Sequence, residues 1–141
     1  MFRKLLLGTS AVFALWTALD FFFHGVLLGA YYRETAHLWR PKGEEMMVLN
    51  TVVVIICALM FTLIYTFLIH PKGGRVGLIF GSLYGAAAGA AMGYGAYAFM
   101  PVPQVMAFVW TLTGLVEGAV GGIVVGWLIK DEEMDQESED A

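Results

Sequence analysis

The sequence predicts an all-α protein, a four-helix transmembrane bundle with no soluble domain, and three observations carry that expectation. Of its 141 residues 59% are hydrophobic and only 14% charged, with a mean hydropathy of +0.72. A soluble domain of this length needs more polar surface to stay dispersed. Four apolar stretches, about 5–30, 46–69, 76–99 and 104–129, each reach the roughly 20 residues that cross a hydrocarbon core. Between them stand helix-breaking connectors: Arg40-Pro41-Lys42-Gly43, His70-Pro71-Lys72-Gly73-Gly74-Arg75 and Met100-Pro101-Val102-Pro103.

The first stretch begins Met1-Phe2-Arg3-Lys4 and imitates a secretory leader. Its apolar run continues to about residue 30 with no small-x-small cleavage site before a polar start, so an uncleaved first helix is expected. The connector at about 31–45 holds Tyr31, Tyr32, Arg33, His37, Leu38 and Trp39. That composition fits a short amphipathic helix lying on the membrane surface. The third and fourth stretches carry a packing signal. Gly77, Gly81, Gly85, Gly89 and Gly93 recur every four residues, as do Gly114, Gly118, Gly122 and Gly126. Small residues at this step let helix backbones approach closely in lipid. The simplest account is that the two stripes face each other within the chain; the alternative is a homo-oligomer or another membrane subunit.

Charge is segregated. Of twelve acids, Asp131, Glu132, Glu133, Asp135, Glu137, Glu139 and Asp140 fall in the last eleven residues, so 131–141 reads as a solvated, disordered acidic tail on a single domain of residues 1–130. The basic residues divide five (Arg3, Lys4, Lys72, Arg75, Lys130) against three (Arg33, Arg40, Lys42), which places both termini in the cytoplasm by the positive-inside rule. Eight scattered basic residues make no nucleic-acid surface. No phosphate-cradling loop follows a strand, and Cys57 lies mid-span away from every His, so no catalytic constellation is expected.

Ionisable groups inside spans are costly and are functional hypotheses by default. There are three: Asp20 and His24, one turn apart on one face of the first helix with Thr17, and Glu117 on the fourth. Counting about 1.5 Å per residue puts Asp20 roughly 8 Å from the loop-side boundary and Glu117 roughly 20 Å from it. On that count Glu117 is too deep to meet His24, and Thr62, Tyr65, Ser82 and Tyr84 are its expected neighbours. Asp20 and His24 then have two readings. One is a hydrogen-bonded pair locking the helix into the bundle with help from Asn50 and Thr51. The other is a metal site, since imidazole is the commonest metal-binding side chain and a carboxylate either ligates beside it or fixes its tautomer. His37, folding back, would be the third ligand. Met46, Met47, Met100 and Met106 fall at the same level, and thioethers with imidazoles suit copper; zinc is the alternative. Glu117 is either a protonated structural donor or a proton carrier working with Asp20.

The pattern Asp20-x3-His24-x12-His37 is similar in spacing to the Asp-His-His metal site in the third membrane subunit of the copper-dependent particulate methane monooxygenases. Those three residues are the whole of that likeness. Over nearly its full length the chain resembles a recurrent type of small bacterial four-span protein. The residues that carry this resemblance are Leu19-Asp20-Phe21-Phe22-Phe23-His24-Gly25-Val26-Leu27-Leu28, then Tyr32, Thr35 and Leu38-Trp39-Arg40-Pro41. Met92-Gly93-Tyr94-Gly95 with Met100-Pro101-Val102-Pro103, and Leu115-Val116-Glu117-Gly118, complete them. It implies a fold and the bacterial inner membrane, and no reaction. The functions expected are therefore metal handling, or an accessory role in a membrane complex, through Asp20, His24 and His37. The alternatives are a proton-linked small transporter or channel subunit using Asp20 and Glu117, and a purely structural subunit.

Overall fold

The computed structural model describes residues 1–131. Its elements are α1 (Phe2–Asp20), continued by a π-helical segment (Phe21–Leu27), a short α2 (Gly29–Glu34) with a 3-10 turn (Ala36–Leu38), α3 (Met47–Leu68), α4 (Gly74–Tyr97) and α5 (Gln104–Leu128). The spans Phe2–Leu27, Met47–Leu68, Gly74–Tyr97 and Gln104–Leu128 are each long and apolar enough to cross a bilayer. The molecule is an all-α four-helix bundle of the multi-pass membrane type, and the boundaries fall within three residues of those read from hydropathy.

The glycine stripes face each other inside the chain. A Cβ added at Gly77 would run into the carbonyl oxygen of Gly122, one at Gly81 into that of Gly118, and one at Gly85 into that of Gly114. Each helix thus presents bare backbone to the other's backbone, which even alanine would prevent. In lipid the hydrophobic effect does not drive helices together, so this close dispersion contact holds the pair.

Helix α1 packs against α3 and α5 rather than α4. Val12, Trp16, Ala58, Phe61, Tyr65, Val125 and Ile129 form the core of that contact. Helix α3 reaches α4 through rings: Phe61 lies 4.8 Å from Phe80 and 5.1 Å from Tyr84, and Tyr65 lies 5.8 Å from Phe80, centroid to centroid. These rings act as spacers. Nearer the 31–45 loop α3 lacks them, and Met47, Val48, Leu49, Val52 and Val53 are all exposed, on every side of the helix. The two helices therefore diverge toward that loop.

The loop itself departs from the surface helix expected of it. Leu28 ends the π segment at φ −94°, ψ 0°, and α2 turns back over the bundle. Leu28, Val102, Met106, Val109 and Trp110 are buried together, with Tyr31, Tyr32, Leu38 and Trp39 packed on them. Thr35 donates to the Tyr31 carbonyl at 2.7 Å and accepts the Trp39 indole N–H at 2.9 Å, closing the turn. The reason is that α5 begins beyond the end of α1, so its first turns offer an apolar wall on which α2 docks.

At the opposite end Tyr65 accepts the Gly73 N–H at 2.8 Å and donates to the Gly73 carbonyl at 3.2 Å. Asp131, which the charge run had assigned to the acidic tail, is fastened here. It accepts the Lys72 backbone N–H at 2.8 Å and the Lys72 ammonium at 3.0 Å, with His70 Nδ1 at 3.2 Å. Those bonds hold its carboxyl down at about 2. The rest of the acidic run, residues 132–141, lies outside the described residues.

Candidate functional site

Where α3 and α4 diverge, the bundle encloses a cavity of about 620 Å³. Asp20, His24, Thr17 and Phe13 line it from the first helix, and Asn50, Thr51, Val54 and Met47 from α3. Ala88, Gly89 and Met92 line it from α4, and Trp110, Thr113, Gly114 and Glu117 from α5. A deeper lobe of about 200 Å³ shares Asp20 and Glu117 and ends on Trp16, Cys57 and Tyr84. Trp16 closes this inner end, its indole N–H donating to the Glu117 carbonyl at 2.8 Å and its ring lying 5.3 Å from Phe61.

All three intramembrane ionisable groups therefore share one space. Asp20 and Glu117, from different helices, both line the cavity and its deeper lobe. The Glu117 oxygen Oε1 is buried with no hydrogen-bond partner. This corrects the depth count from sequence, which gave Glu117 the neighbours Thr62, Tyr65, Ser82 and Tyr84. Of these only Tyr84 lines the space that Glu117 lines, while Thr62 turns its hydroxyl back to Ala58 and Tyr65 is engaged at Gly73. The count failed on register. Leu28 lies level with Met106 and Trp110 rather than with the start of α5. From that level, eight residues down α1 and eleven down α5 reach depths of about 12 and 16 Å, within side-chain reach of each other.

His24 sits inside the π-helical segment, whose Leu28 N–H to Phe23 carbonyl bond of 2.9 Å skips five residues. Its Nε2 lies 3.5 Å from Asp20 Oδ1, with the two side chains 35% and 40% exposed, open to the cavity rather than sealed. Its Nδ1 lies 2.7 Å from the Tyr32 hydroxyl, which also accepts the Trp110 indole N–H at 2.9 Å. If the Tyr32 O–H donates, His24 carries its proton on Nε2 toward Asp20; if His24 donates, Nε2 is left free as an acceptor. Burial pushes the Tyr32 phenol up, partly offset by the Trp110 N–H. The groups Glu117, Asp20, His24 and Tyr32 thus form a line from mid-bundle to the loop. Tyr32 was missed as a site residue, although Asp20, His24, Leu28 and Tyr32 recur every four residues and so suit one helix face.

The expected third ligand, His37, is exposed on the 3-10 turn. Among the described residues no group of three His, Cys, Asp or Glu side chains is gathered closely enough to hold a metal ion. Asn50 and Thr51 do line the cavity, but the Thr51 hydroxyl bonds back to the Met47 carbonyl at 2.9 Å. Of the four methionines grouped by level, Met47 lines this cavity, Met106 is buried beside Thr35, and Met92 joins from α4.

The fold and the cavity together define a multi-pass membrane bundle with an acidic interior chamber. Comparison with known protein families, curated proteins and solved structures finds no match to this chain.

Proposed function

We propose that the chain is a small proton-linked membrane transport protein, or the proton-handling subunit of a transporter or channel, with Asp20 and Glu117 as the groups that take up and release the proton. The observation that carries this reading is the carboxyl pair itself. Two acids from different helices line one mostly apolar cavity and its deeper lobe, within a bundle otherwise built for lipid. An acid kept in such a place only for packing gains little over an apolar residue of its size. His24 and Tyr32 continue the line toward the loop and supply a route by which the pair exchanges protons with water. The test is flux in proteoliposomes under an imposed pH gradient. Glu117→Gln and Asp20→Asn, both near-isosteric, are expected to abolish the proton-coupled signal. Equal flux in all three proteins would overturn the reading.

A second reading rests on a different observation. Asp20 and His24 share the cavity with the thioethers of Met47 and Met92, a donor set suited to copper, with zinc as the harder alternative. On this reading the chain handles metal at the membrane or serves a metalloenzyme as an accessory subunit, and His37 joins the set only by movement of its turn. Elemental analysis of gently purified protein tests it. Metal content unchanged in His24→Ala would rule out the site.

A further inference from the structure

We infer that two adjoining cavities at the loop end form one binding site for an anionic phospholipid. Its phosphate sits in the mouth under the 31–45 loop, and one acyl chain lies in the chamber between α3 and α4. The inference goes beyond the proton-linked reading and does not depend on it.

The mouth selects an anion. It is a second cavity, of about 950 Å³, that meets the chamber at Met47 and Asn50. Arg33, Arg40 and Lys42 line it against a single acid, Glu45. Glu45 Oε2 is already engaged, accepting the Gly43 N–H at 2.6 Å. The loop's other acids, Glu34 and Glu44, do not line the space. Among the described residues none of the three cations makes an ion pair. Guanidinium groups match phosphate oxygens two at a time, and an ammonium adds a point charge. The height is also right. Met47 begins α3, and Tyr32 and Trp39 line the mouth with amphipathic rings of the kind found at headgroup level.

The chamber selects a hydrocarbon chain. Below Asn50 and Thr51 its α3 and α4 walls are Val54, Ala88, Gly89 and Met92, while Asp20 and Glu117 stand on the other two helices. With its deeper lobe it runs along α3 from Met47 to Cys57, about 15 Å of helix, which is half of a hydrocarbon core roughly 30 Å thick. That is the depth of one leaflet. Met47 and Met92 on its rim are 65% and 63% exposed, and the helices there have no ring spacers, so a chain enters without leaving lipid. A soluble anion would satisfy the mouth and not the chamber, and a lipid without net charge the chamber and not the mouth. An anionic lipid satisfies both.

The test uses the protein's own indoles. Of its four tryptophans, Trp39 lines the mouth, Trp110 the chamber and Trp16 the deeper lobe. Replacing the fourth, Trp127→Phe, confines the emission to the proposed site. This full-length protein is reconstituted in phosphatidylcholine vesicles holding a small fraction of chain-brominated lipid, either phosphatidylglycerol or phosphatidylcholine, since bromine quenches an indole it touches. Brominated phosphatidylglycerol is expected to associate about tenfold more strongly than brominated phosphatidylcholine, the scale of a few basic residues at a membrane surface. Adding Arg40→Gln and Lys42→Gln together is expected to abolish that preference. Val54→Phe, or Ala88→Phe from the facing helix, fills the chamber and is expected to remove most of the quenching by both lipids. Equal quenching by the two lipids in the starting protein would overturn the proposal, as would a preference that survives loss of both charges. Quenching undiminished in both filled variants would place the chain elsewhere and overturn it too. Loss of the preference on adding millimolar inorganic phosphate, with sodium chloride of the same ionic strength inert, would assign the mouth to a soluble anion and likewise overturn it.

Discussion

The two halves of this bundle are held together by opposite means. Helices α4 and α5 meet backbone to backbone at Gly77, Gly81 and Gly85, with no room there for a side chain between them. Helices α1 and α3 stand off from α4 on large rings, and toward the loop even the rings give out, leaving the cavity. Close packing in lipid is a matter of dispersion contact, so the helix pair with the smallest side chains forms the rigid wall. The side built on long aromatic spacers holds space and polar groups instead. A membrane bundle with few charges thus keeps its ionisable residues on the side where the helices part.

The comparison breaks most visibly at the glycine wall. Gly81→Leu is expected to destabilise the protein by at least about 3 kcal/mol, because its side chain meets the Gly118 carbonyl. Enlarging Val48 to Leu on α3, where 80% of the residue is exposed, is expected to stay within about 0.5 kcal/mol. Thermal unfolding in one detergent measures both, and similar losses would show that the two halves are equally tight. Next comes function. Glu117→Gln is expected to reduce proton-coupled flux by on the order of 10²-fold, the scale of losing one proton-transfer group, while its melting temperature stays near or above that of the wild type. A large stability loss without a flux change would instead make the carboxyl pair a structural clamp.

Smaller effects sharpen the picture. Trp16→Phe removes the indole bond to the Glu117 carbonyl but keeps the ring against Phe61, and about 1 kcal/mol of stability should go with it. Tyr32→Phe, which strands the Trp110 N–H and the His24 Nδ1, should cost a similar amount and also slow proton exchange; an unchanged rate would place the proton's route elsewhere. Smallest is the clasp at the far end. Because the Asp131 carboxyl is held at about 2 against an ordinary 3.8, its contribution is full above the ordinary value and is lost as pH falls through 2. Its carboxyl carbon resonance should titrate near 2, and Lys72→Ala should move that midpoint upward. A midpoint of 3.8 in the wild type would mean the clasp does not form in solution.

Much of the architecture was legible because its signals are local. Hydropathy over twenty residues marks a span whatever its neighbours do, and a glycine every fourth residue marks a close-approach face. The candidate site was legible only in its parts. Asp20 and His24 share a face by spacing alone. That Glu117 joins Asp20, that Tyr32 joins His24, and that His37 stays outside depend on how far α5 slides past α1 and where the chain turns at Leu28. Asp131 likewise looked like tail by composition, but a bond to a backbone N–H 59 residues away has no signature in a charge run.

The residues by themselves determined that lipid is the solvent here, that four helices cross it, and that two of them can touch. Those outcomes follow from transfer free energy and side-chain size, properties each stretch carries alone. Only the assembled bundle decided that the two intramembrane acids share one space and that a chamber opens beside them. The vertical offset of one helix against another is set by all their contacts together, and an offset of a single turn, about 5 Å, would part the carboxyl groups.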